Sequence, residues 1–467
     1  MPRTLTCLVL CLAVAALPAA LHASGFQLIE QNGSGLGYAF AGQAAGVEDA
    51  SALFFNPAAL TRLDGRQIVI AVDPVGVDSR FSDRSSSRPS LPLMALPVPP
   101  GSSGGNAGGW TPVPNGYFSW QVQSRTWLGL GVNVPFGLKT EWDGDWMGRF
   151  HAVKSEVRTL NLNPSVAVKL SDRLSAGAGV SYQRLDAELT QNLPYGGIAF
   201  GAAYSLGGMP AANGVLAQLG STGLAREGDC VIKGDDWSWG WNAGALLRVT
   251  DETSLAVSYR SSIEHRIDGE AAFHQAPTFA TIGPLAALGA GLNSRFATGP
   301  VTATIELPDT FSAAAAYEAD RVEVLADWTW TGWSSIQELA IARADGAALS
   351  SVPLNFKDTW RIGAGVGYWV RESWKLRLGV AYDRSPVQER YRTPRLPDSD
   401  RVWAAAGIQK RIGARAALDL GYAHLFIEDA PSDLPNQSAT GAPPVGNLTG
   451  TYSSRVDILS IQYRLSF

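Results

Sequence analysis

Cysteine, histidine and long apolar runs are all scarce in this chain. Of 467 residues three are cysteines, and Cys7 and Cys11 both lie in the first apolar stretch. That leaves Cys230 without a partner for an intrachain disulfide, and it reads as a bystander in a loop. The five histidines are scattered. No HExxH, CxxC, GxSxG or phosphate-cradling glycine loop occurs, so no catalytic, metal or cofactor constellation is expected. After Ser24 no stretch approaches the roughly 18 uninterrupted apolar residues of a helical span. A formal charge of −5 provides no basic face for nucleic acid. The acids Glu141, Asp143 and Asp145 raise the question of a cation site. Trp142 and Trp146 interleave them, and a polar outer loop beside lipopolysaccharide is the reading adopted.

What is present is alternation. In 457–467, Leu459, Ile461, Tyr463, Leu465 and Phe467 share one face, and Ser460, Gln462, Arg464 and Ser466 the other. Trp374, Leu376, Leu378, Val380 and Tyr382 alternate with Lys375, Arg377, Gly379, Ala381 and Asp383. A period of two with charge on one face means a strand wet on that side. A mean hydropathy of +0.01 would suit a soluble β-sandwich equally well. The aromatic end at Phe467, fifteen tryptophans and fifty glycines fit a membrane barrel instead. The expected fold is all-β: a transmembrane antiparallel β-barrel of about 14 strands with an N-terminal helical hatch, or plug, in its lumen. Strands are expected near 66–81, 114–123, 126–137, 153–170, 173–190, 236–250, 253–273, 301–319, 321–342, 356–370, 373–388, 399–411, 414–429 and 451–467. Tight connections at 123–126, 171–173, 250–252, 318–320, 371–373 and 411–415 alternate with long ones, placing both termini in the periplasm.

Residues 1–23 carry Arg3, an apolar run and a small-residue end, the pattern of a secretory signal peptide. Residues 24–65 are too rich in glycine and alanine to build their own core. Phe26, Leu28, Phe40, Leu53, Phe54 and Phe55 make them too apolar for a disordered extension, so a lumen plug is expected ahead of a barrel over 66–467. Asn56-Pro57 reads as an N-cap with proline at the first helical position, and Glu48-Asp49 as the acidic opening of a short helix. Two long loops, about 191–235 and 272–300, are apolar. They carry Leu216 and Leu219, then Leu285, Leu288 and Leu292 at helical spacing. They either form a shared binding surface or pack on the rim. Gly129, Gly131 and Pro135-Phe136-Gly137 should break or bulge the third strand, which opens a gap in the wall or marks a rim bulge.

These residues also carry a resemblance. Ser24-Gly25-Phe26-Gln27-Leu28, Ser34-Gly35-Leu36-Gly37 and Asn56-Pro57-Ala58 are similar to the N-terminal hatch of the FadL-type outer-membrane transporters of long-chain fatty acids and hydrocarbons. Pro135-Phe136-Gly137-Leu138, Asn161-Leu162-Asn163-Pro164, Leu307-Pro308-Asp309-Thr310-Phe311 and Trp330-Thr331-Gly332-Trp333-Ser334 continue the match. Asp358-Thr359-Trp360-Arg361 and Pro397-Asp398-Ser399-Asp400-Arg401 complete it, so that nearly the whole mature chain is covered. The resemblance implies that Phe26 reaches a lumen pocket and that the cargo leaves sideways through the wall. It also implies a gating role for Asn56, Pro57, Ala58, Gly129, Gly131, Pro135 and Gly137. Arg184 matches a position that meets the substrate carboxylate; it can equally neutralise Asp186 or Glu188. A second basic position falls at Ala340, with Arg343 nearby as a substitute.

The expected function is passive outer-membrane transport of long-chain fatty acids or similar hydrophobic compounds in a Gram-negative bacterium. An apolar chain would be captured between the loops, held by Phe26, Arg184, Leu216, Leu219, Leu285 and Leu288, and released past the hatch. Its expected partners are that cargo, outer-membrane lipid and lipopolysaccharide, and the barrel assembly machinery. A general diffusion porin would need a wet, charged constriction instead. An outer-membrane hydrolase would need a nucleophile and a base brought together in the lumen.

Overall fold

In the computed structural model, residues 25–91, 94–435 and 445–467 are described; the leader expected at 1–23 lies outside them. Strands apolar on one face and polar on the other must hide one face from each solvent, and here they do so by closing on themselves. Fourteen antiparallel strands make one barrel. They are β1 (Arg66–Asp83), β2 (Trp110–Gln123), β3 (Thr126–Asn133, resuming at Gly137–Glu141), β4 (Lys154–Lys169) and β5 (Leu174–Leu193). Then follow β6 (Gly228–Arg248), β7 (Thr253–Arg260 and Ile263–His274), β8 (Gly299–Leu307 and Thr310–Ala319) and β9 (Val322–Thr331 and Glu338–Arg343). The circuit ends with β10 (Ala348–Pro353 and Thr359–Arg371), β11 (Trp374–Asp383), β12 (Arg401–Ile412), β13 (Ala416–Ile427 and Ala430–Leu434) and β14 (Leu448–Ser466). β1 pairs with β14 from Gln67 opposite Ser466 to Asp83 opposite Gly450, which removes the sheet edges.

The period of two holds in space. Leu459, Ile461, Tyr463 and Leu465 of β14 are 37–51% exposed, whereas Gln462 between them is 0% exposed. On β11, Leu376, Leu378 and Val380 point outward while Lys375 and Arg377 are buried. Outward faces thus form the apolar band and inward faces the polar lumen. All six expected tight connections fall between strands. Two of them use left-handed residues, Asp320 (φ +46°) and Gly413 (φ +65°). Some strand limits differ from expectation. β6 starts at Gly228 rather than near 236, because 228–235 pair with β5. β8 breaks at Pro308, which has no N–H for the ladder.

Residues 25–65 fill the lumen with helices α1 (Gly33–Leu36) and α2 (Ala52–Phe55) and a 3₁₀ turn, Pro57–Arg62. Asn56 caps that turn, its side chain accepting from Ala58 N at 3.0 Å. Glycines in the wall admit this backbone. A Cβ on Gly379 would lie 2.0 Å from the Tyr38 carbonyl carbon, and one on Gly177 would lie 2.5 Å from Ala58 N. The outer connections after β5 and β7 carry helices α3 (Tyr195–Leu219), kinked at Gly207-Gly208, and α4 (Ala286–Arg295).

Candidate functional site

Beneath α3 and α4 the barrel mouth encloses a cavity of about 650 Å³, within the range of ligand pockets. Leu189, Ile198, Ile232, Phe273, Phe296 and Ile341 supply apolar wall, and His151, Arg343 and Arg395 are among its polar lining. Arg395 comes from the long connection 384–400, which folds inward rather than out. Trp142 Nε1 donates to Pro394 O at 3.1 Å and Thr140 Oγ1 to Arg395 O at 3.1 Å, fixing that segment to β3. The guanidinium, 8% exposed, donates to Ser155 Oγ (3.1 Å) and Gln191 Oε1 (2.8 Å). Among the described residues it meets no carboxylate. Burial brings its pKa down to about 10. Arg343 donates to the carbonyls of Arg295 (2.6 Å) and Ala297 (3.1 Å), again with no ion pair to an acid among the described residues.

Below the cavity lies a ring of aromatics. Phe26 stands 5.1 Å from Trp333 and 5.9 Å from Phe136, centroid to centroid, and Trp333 stands 6.1 Å from Phe356. Leu354 and Leu396 pack against this cluster one residue beyond Pro353 and Arg395, so it forms the inner limit of the cavity. Gly25 N donates to Asp398 Oδ2 at 2.9 Å and sets Phe26 in place. β3 is interrupted at 134–136 beside this cluster. β2 pairs with β3 only from Gly116 opposite Val132 onward, so the stretch Trp110–Asn115 has no β3 partner. Farther out, Glu141 N reaches Ala107 O at 2.9 Å and closes the seam again. The hatch fills this aperture from inside: Leu28 N donates to Pro135 O (2.8 Å), and Gly137 N to Phe26 O (3.0 Å).

A second set of contacts ties the hatch to the opposite wall. Glu48 of the hatch meets Lys375 Nζ at 2.6 Å and bonds Arg377, which itself pairs with Asp419 at 2.6 Å. Lys375 also pairs with Glu323 at 2.5 Å, and Arg464 donates to Glu48 O at 2.8 Å. Burial raises the Glu48 carboxyl, but Arg377 and Lys375 together hold it well below the usual carboxylate range. Glu48 is therefore a tie to the wall rather than the opening of α2, whose first turn carries no acid.

Several residues chosen from sequence lie elsewhere than expected. Arg184 sits on the outward face of β5, in register with Leu160 and Trp237, and bonds Asp186 (2.8 Å) and Asp235 (3.4 Å). Its parity is that of exposed Val180; the lumen side belongs to Gln183 and Leu185, both 1% exposed. Ala340 likewise faces out, whereas Arg343 reaches the cavity. Leu216, Leu219, Leu285 and Leu288 join one apolar cluster that packs the loop helices together, and none of the four lines the cavity. The most exposed large apolar side chains of these loops are Leu206 and Ile282. Asn56-Pro57-Ala58 touches β5 and β6 instead of the bend: Asn56 Nδ2 donates to Ala245 O at 3.2 Å, and Gly177 faces Pro57 and Ala58. Contact with β3 is made by Leu53 and Leu60 at Gly129, by Leu53 at Gly131, and by Phe26–Leu28 at Pro135 and Gly137. Cys230 lies on β6 in the cavity wall, not in a loop. Trp142 and Trp146 stack at 4.5 Å and are buried inside the rim. Arg395 and His151 were missed because each sits in an irregular connection, where alternation gives no direction.

Comparison with known proteins agrees with this architecture. Residues 13–467 match the family described as outer membrane protein transport protein (OMPP1/FadL/TodX). A Neisseria meningitidis serogroup B protein is 30% identical, over 100% of this chain and 99% of its own. The long-chain fatty acid transport protein of Escherichia coli K12 is 28% identical, over 89% of this chain and 91% of its own. The crystal structure of a Pseudomonas aeruginosa FadL homologue superposes with a TM-score of 0.82 at 28% identity, covering 95% of this chain and all of that one. A Pseudomonas putida toluene transporter shares the fold at a TM-score of 0.63 and 16% identity. The chain belongs to the OMPP1/FadL/TodX family, as a non-enzymatic outer-membrane β-barrel transporter of hydrophobic compounds in Gram-negative bacteria.

Proposed function

We propose that the cargo is a long-chain fatty acid, bound in the 650 Å³ cavity with its carboxylate at Arg395 and its chain against the apolar wall. The observation that carries this reading is a buried guanidinium on a cavity with both apolar and polar walls, bonded to Ser155, Gln191 and the Lys154 carbonyl but to no carboxylate among the described residues. An isolated buried charge is costly, and an anionic head group supplies the missing partner. Burial of the chain drives capture at about 0.8 kcal/mol per CH₂. Movement of the Phe26–Leu28 segment then opens the β2–β3 aperture for lateral release. No energy source is required, so transport is passive. A neutral hydrocarbon is the second reading, favoured by the uncharged aromatic ring around Phe26.

Paired titration of palmitate and hexadecane in the same detergent separates the two. Arg395→Gln removes a charge-assisted bond of about 1.5–3 kcal/mol. Palmitate should then bind roughly ten- to over a hundred-fold more weakly, with hexadecane unchanged. Arg184→Ala, on the outward face, should alter neither. Equal losses for both ligands in Arg395→Gln, or a wild type indifferent to the carboxylate, would favour the neutral cargo.

A further inference from the structure

His151 shares the cavity with Arg395. Its Nε2 lies 3.0 Å from Gly446 O; a carbonyl only accepts, so Nε2 carries the hydrogen. Nδ1 of the neutral ring is then an acceptor with no bond to a described residue. We propose that His151 contacts the carboxyl group held at Arg395, so that a long-chain acid binds together with one proton taken from solvent. This inference rests on the fatty-acid reading above.

The proton balance is simple. Near neutral pH the free acid is an anion. The empty site holds a neutral imidazole, pushed down to about 4 by burial first, with the Arg395 charge adding to the effect. In the proposed complex a carboxylate beside Arg395 offsets that repulsion and accepts from a protonated Nδ1. The complex gains one proton, shared along the Nδ1–carboxyl hydrogen bond; no other bond forms or breaks. The remaining titratable groups on the cavity are accounted for. They are the guanidinium groups of Arg295, Arg343, Arg390 and Arg395, the Tyr391 hydroxyl, and the Cys230 thiol, which burial pushes up to about 12. Asp345, at the exposed turn after β9, accepts from Ala347 N at 2.9 Å. Arg149, two residues before His151, is paired with Glu227 at 2.9 Å. Histidine is the side-chain type whose unperturbed charge change falls between about pH 5 and 8.

The test is palmitate affinity of the full-length protein in detergent between pH 8 and pH 6, with hexadecane as the control. Uptake of a proton should tighten palmitate binding as pH falls, by up to about tenfold per pH unit, and leave hexadecane flat. His151→Gln should flatten the palmitate profile while Arg395 still distinguishes acid from alkane. A flat wild-type profile, or a slope that persists in His151→Gln and so belongs to the ligand, overturns the proposal. Palmitate calorimetry on wild type in two buffers of different ionisation enthalpy gives a second readout, should the variant fail to fold. One proton taken up per ligand supports the inference, and none overturns it. Loss of acid preference in wild type would instead count against the fatty-acid reading itself.

Discussion

At the scale of single residues, burial converts ordinary side chains into informative ones. Glu30 of the hatch is 6% exposed, and its Oε2 has no hydrogen-bond partner. Burial, partly offset by a hydrogen bond from its own backbone N–H and by Arg401, raises its pKa from 4.5 to about 7. Between those values the folded hatch holds a proton that the unfolded chain has released. The resulting stability is present in full below about pH 4.5 and is lost as pH rises through about 7. The stake is of the order of 3 kcal/mol, from a shift of roughly two and a half pH units. Hydrogen exchange of the hatch amides, corrected for intrinsic rates, should therefore show protection falling from pH 5 to pH 8. Glu30→Gln should remove that slope and protect the hatch more than wild type at pH 8; an unchanged slope would assign the effect to another group.

At the scale of elements, alternation decides which solvent a residue meets. Ile461 and Gln462 are chain neighbours on β14, 51% and 0% exposed. Ile461→Arg, near the bilayer midplane, should cost roughly 2–4 kcal/mol of folding free energy in lipid vesicles. Gln462 instead accepts from Gly33 N at 2.9 Å and donates to Asp49 at 2.7 Å. Gln462→Arg should therefore loosen the hatch more than it destabilises the barrel. Equal barrel penalties at the two sites would contradict the assignment of faces. The same parity explains Arg184: stepping by two from Val180 leads outward, and only a slip of one residue would bring it inside.

At the scale of the whole molecule, the hatch is held at two opposite walls by different forces. Backbone bonds at 134–137 seal the aperture, and the Glu48–Lys375–Arg377–Asp419 network anchors the other side. Removing one partner from a buried ionic network costs about 3–5 kcal/mol because the remaining charges lose their match. Glu48→Gln should produce transient conductance in planar bilayers while heat-modifiable migration of the folded barrel is retained. Channels as silent as wild type would show that the apolar packing of α1 and α2 alone holds the hatch shut.

The sequence by itself determined the barrel, its six tight turns, the interruption of β3 and the capped turn at Asn56, because each follows from a local rule. Alternation, proline's missing donor and side-chain capping act within a few residues. Strand direction was equally legible for β11 and for 459–467 of β14, where large apolar residues alternate with small, polar or charged ones. Only the tertiary structure decided what meets what across the lumen. It turned the leucines of α3 and α4 toward each other, made Glu48 a tie to β11 and placed Asn56 against β6. It also folded an irregular connection inward so that Arg395 and His151 share one cavity. Those contacts join residues from about 70 to more than 300 positions apart, and their partners are set by barrel closure and not by any pattern along the chain.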